Sequence, residues 1–271
     1  MTSMQKRDGH IHTPFCPHGS NDTLRQYAEE ALKKGFESIT FTEHAPLPPS
    51  FTDPTPLKDS AMAQASLERY IHEISGLKKE YRGQLSIRTG LEVDYIAEFE
   101  DEITLFLDTY GPYLDDSILS VHFLRTDSSY LCLDYDEHTF KELISACGSI
   151  EAVYEQYYRS IYSSIVASLG VYKPKRVGHI TLVQKFIKLF PYSMSEHIRG
   201  LVSLCLNAIE ENGMELDFNT SGLRKTYAGG IYIEDWMLNE AKQKKIPLVF
   251  GSDAHQAGDV GYAYETFLER C

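Results

Sequence analysis

The segment DGHIHTPFCPHGS, residues 8–20, places His10, His12 and His18 within nine positions, with Pro14 and Pro17 between them. In an extended backbone, residues two apart face the same way, so His10 and His12 can bind one ion together. The two prolines stiffen a turn that can bring His18 back over the same point. Further along lie His44, Glu92, His122, His179, Asp253 and His255. Imidazole suits zinc, iron and other transition metals, whereas calcium and magnesium favour all-oxygen sites. A catalytic zinc takes about three protein ligands. Nine ligands, with one carboxylate shared, therefore predict two or three divalent transition-metal ions: zinc, iron or manganese.

The elements that must position these residues are short β-branched and aromatic runs. They are SITFTEH (38–44), LSIRTGLEVDY (85–95), SILSVHF (117–123), RVGHI (176–180), MELDFNT (214–220) and IPLVFGSDAH (246–255), and a first strand ends near His10. Helical spacing fills 22–34, 60–80, 98–109, 150–168, 194–211, 234–244 and 261–270. The first of these opens on an Asp22-Thr23 cap and stops at Gly35. Strands alternating with helices predict a parallel sheet. Seven regular units predict an α/β barrel, closed or nearly so, spanning residues 1–271 as a single domain. A doubly wound sheet is the alternative, but no GxGxxG turn follows the first strand. All nine candidates fall at or just past the C-terminal ends of strands, the face on which a barrel builds its active site.

Composition narrows the partners. The formal net charge is −13, which argues against nucleic acid and an anionic membrane surface. It leaves room for an anionic substrate, because bound cations reverse the local field. The five cysteines (16, 132, 147, 205 and 271) are odd in number and form no CxxC pair. They predict reduced thiols in a cytoplasmic protein. The N-terminus MTSMQKRDGH is polar, and no apolar run approaches the ~18 residues of a membrane span.

The motifs DGHIHT, CPHG, FTEHA, GLEVDY, SVHF, VGHI and GSDAH, in this order over residues 8–255, resemble the polymerase-and-histidinol-phosphatase (PHP) family of metal-dependent phosphoesterases. FTEHAPLP, GLEVDYI, LSVHFL and NTSGLRK resemble most closely its histidinol-phosphate phosphatase branch. The resemblance implies a distorted, TIM-like (β/α)7 barrel with a trinuclear centre. It implies one ion held by His10, His12, Glu92 and Asp253, a second by Glu92, His122 and His179, and a third by His18, His44 and His255. It also implies hydrolysis of L-histidinol phosphate, a small phosphorylated metabolite of histidine biosynthesis. Another small phosphate ester or a phosphodiester is the alternative within the family. Thr181 stands where some relatives carry an acid.

Roles for individual residues follow as expectations. Asp253, His255 and Glu92 are the catalytic candidates, with Asp253 a candidate proton donor to the leaving group. Arg224, past the sixth strand, is expected to clamp phosphate bidentately, and Lys185 and Lys225 are secondary candidates. Glu43, Asp94 and the acidic loop 127–137 are expected to read the ammonium or imidazole of the substrate. The five-proline stretch 45–60 reads as a semi-rigid lid. Two rival classes are a metal-dependent amidohydrolase, which His18 and Glu92 fit less well, and a metal-loaded binding protein without turnover, which the intact ligand set disfavours. The oligomeric state is not legible.

Overall fold

The first strand sets the frame. β1 (Arg7–Ile11) pairs in parallel with β2 (Ser38–His44), β2 with β3 (Ser86–Asp94), and β3 with β4 (Ile118–Ser120). The computed structural model describes residues 5–127 and 129–271; the initial MTSM and Ser128 of the acidic loop lie outside the described residues. After β4 the chain leaves the sheet to form an antiparallel hairpin, β5 (Phe123–Arg125) with β6 (Tyr130–Cys132). It returns as β7 (Arg176–Val177), β8 (Glu215–Asn219) and β9 (Leu248–Gly251), each parallel to its neighbour. The sheet order β1-β2-β3-β4-β7-β8-β9 follows the chain.

Closure comes from main-chain bonds between the first and last strands. His12 N donates to Ala254 O at 2.9 Å, and Asp253 N donates to His10 O at 2.8 Å. The result is the nearly closed seven-stranded barrel that the alternation predicts; a doubly wound sheet would not bring β1 to β9. All seven residues of β2 are buried, as expected for a parallel strand covered on both faces.

Helices clothe the barrel: α1 (Leu24–Lys33), α2 (Leu67–Glu80), α3 (Glu100–Tyr110), α4 (Glu137–Cys147), α5 (Ile150–Val166), α6 (Glu196–Glu211), α7 (Asp235–Gln243) and α8 (Tyr264–Arg270). The α1 cap is a reciprocal box: Thr23 Oγ1 accepts from Gln26 N, and Gln26 Oε1 accepts from Thr23 N. Among the described residues no helix is long and apolar enough to cross a membrane.

Three expectations need correction. The run 117–123 is not one strand. His122 N turns onto Asp94 Oδ1, and the chain departs into the hairpin. The run 176–180 keeps only two strand residues, after which Gly178 N still reaches Leu119 O. The acidic stretch 127–137 is not a plain loop: it holds β6 and the start of α4, whose N-cap is Asp136, accepting from Thr139 N at 2.7 Å. The proline-rich segment 45–60 carries no helix or strand, and it is pinned. Phe51 packs edge-on against Phe99, Phe123 and Tyr130.

The N-terminal end of the barrel is plugged by charge. Arg176 is wholly buried. It donates to Gly9 O at 2.8 Å and pairs with Asp116, which also pairs with Arg7. A side chain at Gly9 would collide with the Arg176 guanidinium. Burial alone would raise the Asp116 carboxyl, but Arg176 and Arg7 outweigh it and hold it below its ordinary value. Removing one partner of a buried pair leaves the other charge uncompensated. Arg176→Ala is therefore expected to lower the unfolding free energy by roughly 3–5 kcal/mol in urea denaturation. A loss below about 1 kcal/mol, the range of an exposed pair, would show that Arg7 alone satisfies Asp116.

Candidate metal centre

The strands deliver their ligands where they end. His44 is the last residue of β2, and in the parallel register it stands beside Glu92 of β3. His122 and His179 lie two residues past β4 and β7, and Asp253 and His255 follow β9. β1 carries a bulge between Asp8 and Ile11. An extra residue in one strand re-aims the side chains around it. Here His10 and His12 both end up fully buried and directed at one carboxylate.

That carboxylate is Glu92. Its Oε2 lies 3.3 Å from His10 Nε2, 3.4 Å from His12 Nε2 and 3.3 Å from His44 Nδ1. Its Oε1 lies 2.8 Å from His179 Nε2 and 3.5 Å from His122 Nε2, and accepts from Ser120 Oγ at 2.7 Å. Asp253 Oδ1 adds a second acid, 3.2 Å from His12 Nε2 and 3.8 Å from His10 Nε2. Asp253 itself sits at φ +52°, a left-handed conformation that Asp tolerates better than most residues and that collects at functional sites. The His12 ring lies 3.9 Å from that of His255 and 4.4 Å from that of His44; His18 stacks beyond them, 5.2 Å from His255.

Behind the ring of imidazoles stands a second ring of oxygen atoms. Asp217 Oδ2 takes His10 Nδ1 at 2.8 Å. Glu43 Oε1 takes His12 Nδ1 at 3.2 Å, while its other oxygen accepts from Thr13 N. Asp94 Oδ1 takes His122 Nδ1 at 2.7 Å. The carbonyl of Asp59, in the proline-rich segment, takes His18 Nδ1 at 3.0 Å. A ligating histidine characteristically gives its second nitrogen to such a partner, which fixes the ring. Glu43 and Asp94 stand behind His12 and His122 in this way. Their carboxylates are buried and already engaged.

Arg224 sits against the last strand's loop: its guanidinium donates to Ser252 O and Asp253 O, both at 3.0 Å, and its Nε lies 3.3 Å from Asp259 Oδ2, so the fork grips the loop that carries Asp253. Lys185 is the cation that reaches the cavity, a space of about 200 Å³ lined by His18, His44, His122, Asp134, Tyr135 and Lys185 among others. Its Nζ pairs with Asp134 Oδ2 at 2.9 Å. Of the acidic stretch, Asp134 is the acid that lines this cavity; Asp136 caps α4 and Asp127 is exposed.

The electrostatics suit cations. Burial alone would lower His10 and His122. Asp217, Glu92 and Asp253 around the first, and Asp94 and Glu92 around the second, outweigh it and raise each to about 10. Burial would raise Glu92 and Asp253, yet the surrounding imidazoles hold both well below the carboxylate range. His44 and His255 fall well below the ordinary imidazole value through burial and the neighbouring His12. Three compact groups of donors result: His10, His12 and Asp253; His44, Glu92 and His122; and His12, Cys16, His44 and His255. His12 Nε2 and His44 Nδ1 are buried without a hydrogen-bond partner, a cost that coordination to an ion removes. The donor set fits divalent transition ions. Their uptake displaces imidazole protons, so it releases acid and tightens as pH rises.

A parallel barrel with oriented imidazoles gathered round a doubly used carboxylate at its C-terminal rim defines a metal-binding barrel of the hydrolytic kind. The chain belongs to the PHP family: the PHP domain matches residues 8–221, and a PHP-associated segment matches 238–270. A protein of Deinococcus radiodurans named "Probable histidinol-phosphatase" is 32% identical over 260 residues, covering 95% of this chain and 89% of the relative. A crystal structure from Listeria monocytogenes, described as a candidate histidinol phosphatase, superposes with a TM-score of 0.94 at 36% identity, covering 97% of this chain and all of that one. The histidinol phosphate phosphatase of Lactococcus lactis, crystallised with zinc, L-histidinol and phosphate, shares the fold at a TM-score of 0.73 and 22% identity, covering 99% and 94%.

Sequence reasoning passed over Asp217, Ser120 and Cys16. A signal for the first was present: in MELDFNT, Asp217 and Asn219 lie two apart and so face one side of the strand, with the apolar Leu216 and Phe218 on the other. Asp217→Asn removes the acid behind His10. It is expected to weaken metal binding about 10- to 100-fold, measured by competition with a chromophoric chelator. Unchanged affinity would mean that His10 is oriented by packing alone.

Proposed function

We propose that this chain, as one barrel domain over residues 1–271, is a metal-dependent phosphomonoesterase that hydrolyses L-histidinol phosphate to L-histidinol and phosphate. The observation that carries the reading is the two-sided use of Glu92, one oxygen toward His10, His12 and His44 and the other toward His122 and His179. The names of the relatives from Deinococcus radiodurans and Listeria monocytogenes support the substrate.

In this reading His10, His12, Glu92 and Asp253 hold one divalent transition ion. Glu92, His122 and His179 hold a second, and His18, His44 and His255 hold a third. Such ions, when bound, supply an acidified water and positive charge to a phosphoryl group. The chain's own residues do the rest. Asp217, Glu43, Asp94 and the Asp59 carbonyl hold the imidazoles in register. Asp253 acts as a ligand through one oxygen, while its Oδ2 accepts from Asn219 Nδ2 and Ser221 Oγ. Arg224 fixes the Asp253 loop.

The Lys185–Asp134 pair explains the choice of ester. Burial would raise the Asp134 carboxyl, but Lys185 outweighs it and holds it low; Asp134 in turn keeps Lys185 charged. A substrate bearing both a phosphate and an ammonium replaces each partner of this pair with an opposite charge of its own. A neutral alkyl phosphate satisfies Lys185 and leaves Asp134 unmatched, which costs binding.

His12→Ala and Asp253→Ala are each expected to abolish turnover of histidinol phosphate while circular dichroism stays unchanged. Elemental analysis of the reconstituted protein should give more than one ion per chain, and at most one would overturn the polynuclear reading. Asp134→Asn should cost about 2–3 kcal/mol in kcat/KM for histidinol phosphate and far less for a neutral alkyl phosphate. Equal losses would place the ammonium elsewhere. Faster cleavage of a phosphodiester than of either monoester would favour a different PHP phosphoesterase.

A further inference from the structure

We infer that Cys16 is a metal ligand in this chain, so that the position next to His44 and His255 is a mixed imidazole–thiolate site. The inference deepens the metal-centre reading above and rests on it. One donor atom from each of His12, Cys16, His44 and His255 lies within 4.8 Å of the other three. Ions of the zinc type are coordinated by donors gathered at this scale, with metal–ligand distances of about 2.0–2.3 Å.

Two observations separate Cys16 from an ordinary core cysteine. The thiols of Cys132, Cys147 and Cys205 each donate to an oxygen, on Asp134, Gln156 and Tyr158 respectively. The Cys16 sulfur instead sits among three imidazoles. The imidazoles beside it are also buried, His44 8% exposed and His12 not at all, and each carries a nitrogen without a hydrogen-bond partner, His44 Nδ1 at 3.3 Å and His12 Nε2 at 3.4 Å from Glu92 Oε2. His18 approaches the same position from the solvent side, its Nδ1 engaged by Asp59 O. Cys16 approaches from the buried side.

The backbone fixes this approach. Cys16 N donates to Thr13 O at 3.0 Å, and Gly19 N donates to Cys16 O at 3.2 Å. A Cβ at Gly19 would come within 3.1 Å of Cys16 Cβ and 3.2 Å of Thr13 O, so the turn closes this tightly only with glycine there. As a metal–sulfur bond forms, the thiol proton leaves to solvent and the sulfur binds as thiolate. Thiolate is a soft donor, which favours zinc over manganese at this one position while leaving the neighbouring nitrogen and oxygen sites unbiased.

Cobalt(II) is the probe. The full-length protein is stripped with chelator, reloaded with cobalt(II) and analysed for metal content and near-ultraviolet absorption. Wild type is expected to show an intense sulfur-to-cobalt charge-transfer band. Cys16→Ser should lose the band, and Cys132→Ser, which removes the thiol that lines the cavity, should keep it. A cobalt-loaded wild type without the band, or a Cys16→Ser protein that retains it, overturns the thiolate while leaving the metal centre standing. Failure to take up any cobalt overturns the metal centre and the thiolate with it. Should Cys16→Ser not fold, zinc X-ray absorption on wild type decides: a sulfur scatterer at about 2.3 Å supports the assignment, and a shell of nitrogen and oxygen alone overturns it.

Discussion

A carboxylate removed from water must be matched by positive charge or become protonated. Glu92 is 1% exposed, and most of the barrel's rim answers that constraint. Five imidazoles face its two oxygens, and a sixth, His255, meets Asp253 across the same space. Those imidazoles in turn need a fixed tilt, which accounts for the acids Asp217, Glu43 and Asp94 below them. The arrangement is layered: one acid at the centre, nitrogens around it, acids again outside. The outermost layer raises the basicity of the nitrogens and so favours cations in the middle.

The opposite end of the barrel solves the inverse problem. There a guanidinium, Arg176, is buried, and Asp116 and the Gly9 carbonyl match it. Gly9 lies one residue before His10, so β1 contacts the plug at one point and feeds the metal rim at the next. The bulge within β1 allows both. The strand pairs with β2 at Arg7 and Asp8, and pairs again in a shifted register at Ile11, with Gly9 and His10 between them.

Much of this was legible in the sequence because in a parallel barrel the residues at and just past the C-terminal ends of the strands face the site. SITFTEH and GLEVDY announce both the strand and the ligand at its end. Shorter elements left weaker traces. The hairpin strands of three residues each show too little alternation to separate from loop, and α4 was hidden behind an acidic run although Asp136 is a regular N-cap. The surroundings of Arg224, Glu43 and Asp94 were not legible for another reason. Residue type shows that a side chain can bind phosphate or ammonium, but its engagement elsewhere depends on neighbours distant in sequence. Arg224 is held by Ser252 and Asp253, and Glu43 by His12 and Thr13. Only the fold brings these together.

The main-chain staple between His10–His12 and Asp253–Ala254 has a consequence for synthesis. A ribosome releases the HxH segment well before its Asp253 partner, which lies at the far end of the barrel's strand order. Between those two points the nascent chain offers the early histidines without the acid that completes their site. A single HxH pair binds an ion too weakly to commit to it, so whichever metal visits the growing chain is free to leave. Selection among metals is thereby deferred until the chain has closed upon itself, and the final strand acts as the checkpoint for what the enzyme carries.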